Sequence, residues 1–295
     1  RTLLARYPEA KWHQFDAAGR DNVRAGAMLA FGRPAETIYH FEKAQRIFSL
    51  DADFLFSMPG SLRYTRDYVK SRQIEGDERN RLYVVEPTPS NTGAMADHRY
   101  TVRASAVEDI ADHLAALLGV SGAAPVGTAP AWLAAAARDL SSHRGHALVV
   151  PGDFQSPRVH ALAHAMNRVL GAVGQTVDFT DSIEAQPVNQ AESLAELHRA
   201  LNDGKVSTLV VLGGNPIFTA PGDLKFVDAF KKAAVRVYLG SHKDETARFC
   251  QWVIPMAHEL ETWGDARAFD GTATLQQPLI APLYDGKSPL EIISV

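Results

Sequence analysis

Residues 208–222 read TLVVLGGNPIFTAPG, and this stretch decides the fold class. Thr208 and four apolar residues, three of the five β-branched, run into glycine, which predicts a short buried strand over 208–212. The strand empties into Gly213-Gly214-Asn215-Pro216. Glycines there permit a tight turn and close approach of the backbone to a phosphate or ring, and the asparagine amide can donate and accept at once. A strand, a turn and then a helix is the repeating piece of a parallel α/β sheet, whose ligands collect beyond the carboxyl ends of the strands. From the residues alone, a ligand-holding turn and a plain strand-to-helix turn stand level.

The same alternation extends outward in both directions. Strands are expected at 46–50, 82–86, 100–103, 147–151, 176–179, 208–212, 236–239 and 252–255. Helices are expected at 21–30, 34–45, 61–71, 106–118, 132–141, 157–170, 191–201 and 224–233. In 106–118 the apolar Val107, Ile110, Ala111, Leu114, Leu117 and Leu118 fall on one helical face. Residues 119–130 (GVSGAAPVGTAP) carry no charge and no periodicity, so they read as a boundary. The expected fold is α/β, with two domains of mainly parallel sheet flanked by helices: 1–120, a linker at 121–130, and 131–295.

Composition narrows the function. With 295 residues, 46% hydrophobic and 22% charged, the chain has material for two cores of about 150 residues each. A net charge of −4, with basic and acidic residues interspersed, offers no field for a phosphate backbone, so nucleic acid is not an expected partner. No apolar run approaches the roughly 20 residues that span a bilayer, and residues 1–10 do not resemble a signal peptide. A single cysteine, Cys250, rules out an internal disulfide or a cluster held by several thiolates of this chain. Next to the apolar run 252–255, it is expected to be a buried, inert thiol. The start at Arg1 and the finish inside a helix-like PLEII suggest a sequence cut at both ends.

Several tempting motifs fail. Asp285-Gly286-Lys287-Ser288 has Ala281 where a P-loop requires glycine, so it reads as a turn. There is no G-x-G-x-x-G after a strand and no G-x-S-x-G elbow. His160 and His164 share a helical face at i and i+4, yet no glutamate follows the first, and a packing or surface role is favoured over a metal. His258-Glu259 lacks a second histidine. Asp51 and Asp53 follow a strand, so a carboxylate is expected at the sheet's carboxyl edge, with Arg63 and Arg66 within reach; ligand orientation and helix capping are both open readings.

Three ordered segments resemble molybdopterin oxidoreductases of the dimethyl sulfoxide reductase type. They are the Gly213–Pro216 turn, the passage LYVVEPTPSNTGAMADHRYTVR at 82–103, and Glu245-Thr246-Ala247 followed by Val253-Ile254-Pro255, Glu261-Thr262-Trp263-Gly264 and Gly271. The resemblance implies the two central Rossmann-like domains of that fold, which clasp two pterin–guanine dinucleotides. It places Glu86 beside a ribose, Asp97 and Gly213, Gly214, Asn215 and Pro216 beside a nucleotide, and Asp244, Glu245 and Thr246 in the matching loop. No catalytic residue and no metal ligand is assigned by it.

The wording Ser49-Leu-Asp-Ala-Asp-Phe-Leu55, Pro59-Gly-Ser-Leu-Arg-Tyr64 and Glu261-Thr-Trp-Gly-Asp265 is similar in particular to the large iron–sulfur subunits of bacterial alternative complex III. That likeness implies a fold kept without molybdopterin guanine dinucleotide, and iron–sulfur clusters held in another part of the polypeptide. It also implies partners among the cytochrome c-type and quinol-binding membrane subunits of a respiratory complex, at the outer face of the cytoplasmic membrane. The expected role is a scaffold in quinol-oxidising electron transfer. The alternatives are the cofactor-binding domains of an active molybdopterin oxidoreductase, or a small-anion-binding α/β protein.

Overall fold

The computed structural model describes residues 2–73, 79–184 and 186–294. They form two compact units: residues 20–187 with 268–272, called here the first unit, and residues 1–19, 188–267 and 273–295, the second. Helix α1 (Thr2–Arg6) belongs to the second.

The first unit contains helices α2 (Asp21–Phe31), α3 (Ser61–Arg72), α4 (Asn91–Ala94), α5 (Val107–Leu117), α6 (Ala131–Ser142) and α7 (Pro157–Val169). Its strands are β1 (Glu36–Tyr39), β2 (Arg46–Leu50), β3 (Arg81–Glu86), β4 (His98–Thr101), β5 (Ala147–Pro151) and β6 (Val177–Thr180). Four strands pair in parallel in the order β4-β3-β2-β5. Both faces are covered, which is why every residue of β2 and β5 is buried, and β5 reads as an unbroken apolar run. Phe48, Leu50, Val85 and Val149 pack with Leu114, Leu140 and Met166 on one face. Ile47, Leu82, Val84 and Val150 pack with Phe41, Phe54, Tyr64 and Tyr68 on the other. Each fully buried side chain of this size contributes about 1.5–3 kcal/mol.

The second unit contains α8 (Gln190–Asn202), β7 (Thr208–Leu212), α9 (Pro216–Thr219), α10 (Phe226–Phe230), β8 (Val235–Gly240), α11 (Glu245–Arg248), β9 (Trp252–Pro255), β10 (Gly264–Arg267), β11 (Ala273–Gln276) and α12 (Pro289–Ser294). Strands β7, β8 and β9 form a parallel sheet with β8 in the middle, and β10 and β11 an antiparallel pair. Leu194 and Leu201 of α8 and Phe226 and Phe230 of α10 make its core, with Leu209 and Val211 packed against them.

Four expectations are corrected. The boundary expected at 121–130 is a loop inside the first unit, because β5, beyond it, pairs with β2 to complete the first sheet. That loop is tied back to α5: the Ala124 amide donates to Asp112, and His113 Nε2 lies 3.0 Å from the Val126 carbonyl oxygen. The helix expected at 34–45 is β1 followed by a single 3₁₀ turn, Phe41–Lys43. Thr37, Ile38 and Tyr39 favour extended backbone, and β6 supplies the antiparallel partner, so β6 stands outside the parallel sheet where it was expected. The helix expected at 224–233 is divided by Lys225, whose φ of 46° is left-handed, leaving only α10.

Candidate functional site

In the second unit β7 ends at Leu212, and Gly213 and Gly214 both take left-handed backbone, at φ 66° and 68°. That conformation is open to glycine at no steric cost. The Gly213 amide donates to the Leu239 carbonyl of β8 at 2.8 Å, so the turn leaves the sheet while still paired with it. Asn215 then faces α11. Its amide donates to Glu245 at 2.7 Å, and its carbonyl oxygen accepts from the Thr246 hydroxyl at 2.8 Å; the same hydroxyl oxygen accepts from the Ile217 amide at 3.3 Å. The Asn215 hydrogen bond leads the causes that hold the Glu245 carboxyl below its ordinary range. Asp244 caps α11 by accepting from the Ala247 amide. The Tyr238 hydroxyl donates to Asp244 at 2.6 Å and also lies 3.0 Å from the Gly214 carbonyl oxygen, while burial, then Asp244, push its pKa up. Gly213, Gly214, Asn215, Pro216, Asp244, Glu245 and Thr246 are therefore one connected network at the carboxyl edge of β7 and β8. Beside it lies a groove of about 590 Å³, walled by Trp12, Phe15, Leu197, Val211, Gly214 and Asn215, a volume typical of small-molecule sites.

The first unit carries the same device. After β2, Asp51 takes left-handed backbone at φ 56°, and its amide donates to the Val85 carbonyl of β3 at 2.7 Å, as Gly213 does to Leu239. Asp53 accepts from the Thr92 hydroxyl at 2.8 Å, as Asn215 does from Thr246, and the Thr92 hydroxyl oxygen accepts from the Leu55 amide at 3.1 Å, as Thr246 does from Ile217. Thr92 lies in the short helix after β3, Thr246 in the short helix after β8. Asp51-Ala52-Asp53 thus occupies the structural place of Gly213-Gly214-Asn215.

The substitution changes the chemistry of that edge. Burial raises the Asp51 carboxyl above its ordinary range and the charge of Glu86 adds to the effect, against a hydrogen bond from Gln155. Glu86 is buried, accepting from Ser90 and from Arg99, both at 2.5 Å. It is packed so closely that a Cβ on Gly93 would lie 1.9 Å from its oxygen. Asp97 sits at the other end of β3, where Arg72 donates to it through two nitrogens and the Leu82 amide through a third bond; these hold it acidic although burial opposes them. The arginines near this region are engaged: Arg63 with Asp67 and Asp270, Arg66 with Asp67, Arg20 with Glu36 and Asp153. The expected reach of Arg63 and Arg66 to Asp51 and Asp53 is therefore corrected; α3 points them at acids of its own side.

Of the resemblance-assigned positions, the structure brings the seven of the second unit together; Glu86 and Asp97 belong to the first unit, each with partners inside it. Thr92 and Tyr238 were passed over in the sequence. The signal for Thr92 was its shared spacing, Asn91-Thr92-Gly93-Ala94 after one strand and Glu245-Thr246-Ala247 after another. His160 and His164 are buried packing residues, His164 against Phe31 and Phe179. Cys250 is only partly buried, and desolvation pushes its thiol up. Among the described residues no His, Cys, Asp or Glu group is arranged to hold a metal, and no helix is long and apolar enough to cross a membrane.

A family model described as molybdopterin oxidoreductase matches residues 90–295. The chain belongs to the molybdopterin oxidoreductase family. Among curated relatives, the menaquinone reductase molybdopterin-binding-like subunit of Nitratidesulfovibrio vulgaris (strain Hildenborough) is 25% identical over 91% of this chain and 45% of its own length. The chain thus spans less than half of that relative. Among solved structures, acetylene hydratase from Pelobacter acetylenicus superposes with a TM-score of 0.70 at 13% identity, covering 94% of this chain and 50% of that one. The formyltransferase/hydrolase complex from Methylorubrum extorquens, bound to methylofuran, superposes at 0.61 and 14% identity, covering 99% and 86%. Both show the fold, parallel sheets flanked by helices.

Membership of the molybdopterin oxidoreductase family implies a pterin nucleotide, and the two units fit it differently. In the second unit the glycines keep a turn that backbone can bring to a phosphate, although the Asn215 side chain is spent on Glu245 and Thr246. In the first unit the residues do not fit a pyrophosphate: Asp51 and Asp53 stand where the turn would meet it, Glu86 lies behind, and Arg20, Arg63, Arg66 and Arg99 are paired with other carboxylates. A carboxylate and a phosphate 4 Å apart repel by about 4 kcal/mol at an effective dielectric of 20.

Proposed function

We propose that this chain is the scaffold portion of a molybdopterin-oxidoreductase-like subunit in a membrane-associated, quinol-oxidising electron-transfer complex, related to alternative complex III. In this reading its two units serve subunit packing and the placement of iron–sulfur clusters held elsewhere in the polypeptide, with cytochrome c-type and quinol-binding membrane subunits as partners at the outer face of the cytoplasmic membrane. Asp51-Ala52-Asp53 in the place of a glycine–glycine–asparagine turn carries the proposal. A relative named for a molybdopterin-binding-like subunit of menaquinone reductase supports the quinone side of it.

The competing reading, an active molybdopterin oxidoreductase, draws on the intact Gly213–Pro216 network and its groove. Guanosine diphosphate, as the nucleotide end of the cofactor, separates the two in a calorimetric titration. The double substitution Asp51→Gly/Asp53→Asn copies the second unit's turn, keeps an acceptor for Thr92 and relieves the left-handed backbone at Asp51. It is expected to bind guanosine diphosphate at least about tenfold more tightly than the unaltered protein, a difference of about 1.4 kcal/mol. Equal affinities would remove the electrostatic basis of the proposal.

A further inference from the structure

Behind the carboxyl edge of the first unit lies a cavity of about 20 Å³, bordered by Arg20, Glu36, Tyr39, Asp153, His160 and His164. Five parts of the unit meet there: α2 with the residue before it, β1, the segment from β5 into α7, the segment leading into α3 with Tyr64, and Phe269. The packing is close, since a Cβ on Gly26 of α2 would fall 2.2 Å from the Cβ of His160 on α7. Arg20 donates to Glu36 at 3.0 Å and to Asp153 at 3.3 Å, so one partly buried cation is shared by two carboxylates. His160 is 2% exposed, and its Nε2 has no hydrogen-bond partner within the protein. A buried, unpaired imidazole nitrogen costs about 1–3 kcal/mol.

We infer that the cavity is a binding site for one structural water molecule, held by His160 Nε2 and the Arg20–Glu36–Asp153 cluster. A single water needs about 10–15 Å³ and two to four polar partners, and this space and lining supply both. Water fits the chemistry better than an ion. The imidazole nitrogen is an acceptor in one neutral tautomer and a donor in the other, and only a ligand that can both give and take a hydrogen bond satisfies either. The surrounding charges already include two carboxylates and one guanidinium, so an anion would meet net negative charge. A dehydrated metal cation would have to displace Arg20 from its partners in a space of one water. The site also accounts for how Arg20 is spent: its guanidinium is shared between Glu36 and Asp153.

A crystal structure of the protein at about 1.5 Å resolution tests the assignment. It should show one ordered solvent atom 2.7–3.2 Å from His160 Nε2 and within the same range of at least one group of the Arg20–Glu36–Asp153 cluster. In solution, a cross-relaxation peak between His160 Hε1 and a slowly exchanging water should appear, and should disappear in His160→Leu. A dry cavity, a direct protein partner for Nε2, or density with the coordination of a metal ion would each overturn it; absence of the water peak in a folded protein would do so independently.

Discussion

Replacing Arg99 by Ala tests whether Glu86 is committed to the fold or available to a ligand. Glu86 is 2% exposed and takes its charged partner from Arg99, whose side chain is 30% exposed. Removing one member of a buried ion pair costs about 3–5 kcal/mol, because the other charge is left desolvated. Arg99 reaches solvent and Ser90 still donates to the carboxylate, so the lower end applies, about 3 kcal/mol. That is a factor of about 150 in the folding equilibrium, or a fall in Tm of roughly 6–12 °C for a unit of this size. Urea unfolding followed by the fluorescence of Trp132, which stacks on Tyr100 in the first unit, reads the loss locally. Glu86→Gln in the Arg99→Ala background should recover part of it, since the uncharged amide no longer leaves a buried charge. A cost for Arg99→Ala within about 0.5 kcal/mol would show a carboxylate free enough to serve a ribose, and would refute its structural role.

Burial, aided at His160 by the neighbouring His164, lowers both imidazoles from 6.5 to about 4. The unfolded chain takes up these protons below pH 6.5 and the folded chain only near 4, so stability is full above 6.5 and falls between the two, by up to about 1.4 kcal/mol per pH unit for each histidine. His164→Leu should halve that slope in unfolding curves taken between pH 7 and 5; an unchanged slope would contradict the assignment. Thr246 is fully buried and joins Asn215 to the Ile217 amide, so Thr246→Val should cost about 1–3 kcal/mol in chemical unfolding, and a neutral result would show the network to be slack.

What the sequence makes legible here is local. β2, β5, β7 and β9 are found at the expected residues because each is a short stretch rich in apolar or β-branched residues, and helices α3, α6, α7 and α8 because their apolar faces repeat at helical spacing. What it hides depends on partners far along the chain. Residues 36–39 become a strand only because β6 is there to pair with them, and the Gly- and Pro-rich stretch at 119–130 is indistinguishable from a linker until β5 is seen to close the first sheet. At the site, Gly213-Gly214-Asn215 is conspicuous since glycine pairs announce unusual backbone. Asp51 adopts the same left-handed conformation without such a signal, and its correspondence to Gly213 rests on matching hydrogen bonds across each sheet, which no linear pattern contains. Glu86 and Arg99, similarly, are 13 residues apart and meet through the pairing of β3 with β4.

The account rests on a first unit whose carboxyl edge is closed to a pyrophosphate by its own carboxylates. Metal and pterin content of the native protein, measured by elemental mass spectrometry with fluorescence of the oxidised pterin, tests it most directly. Iron without molybdenum, tungsten or pterin is the expected result, whereas molybdenum or tungsten with about two pterins per chain would contradict it.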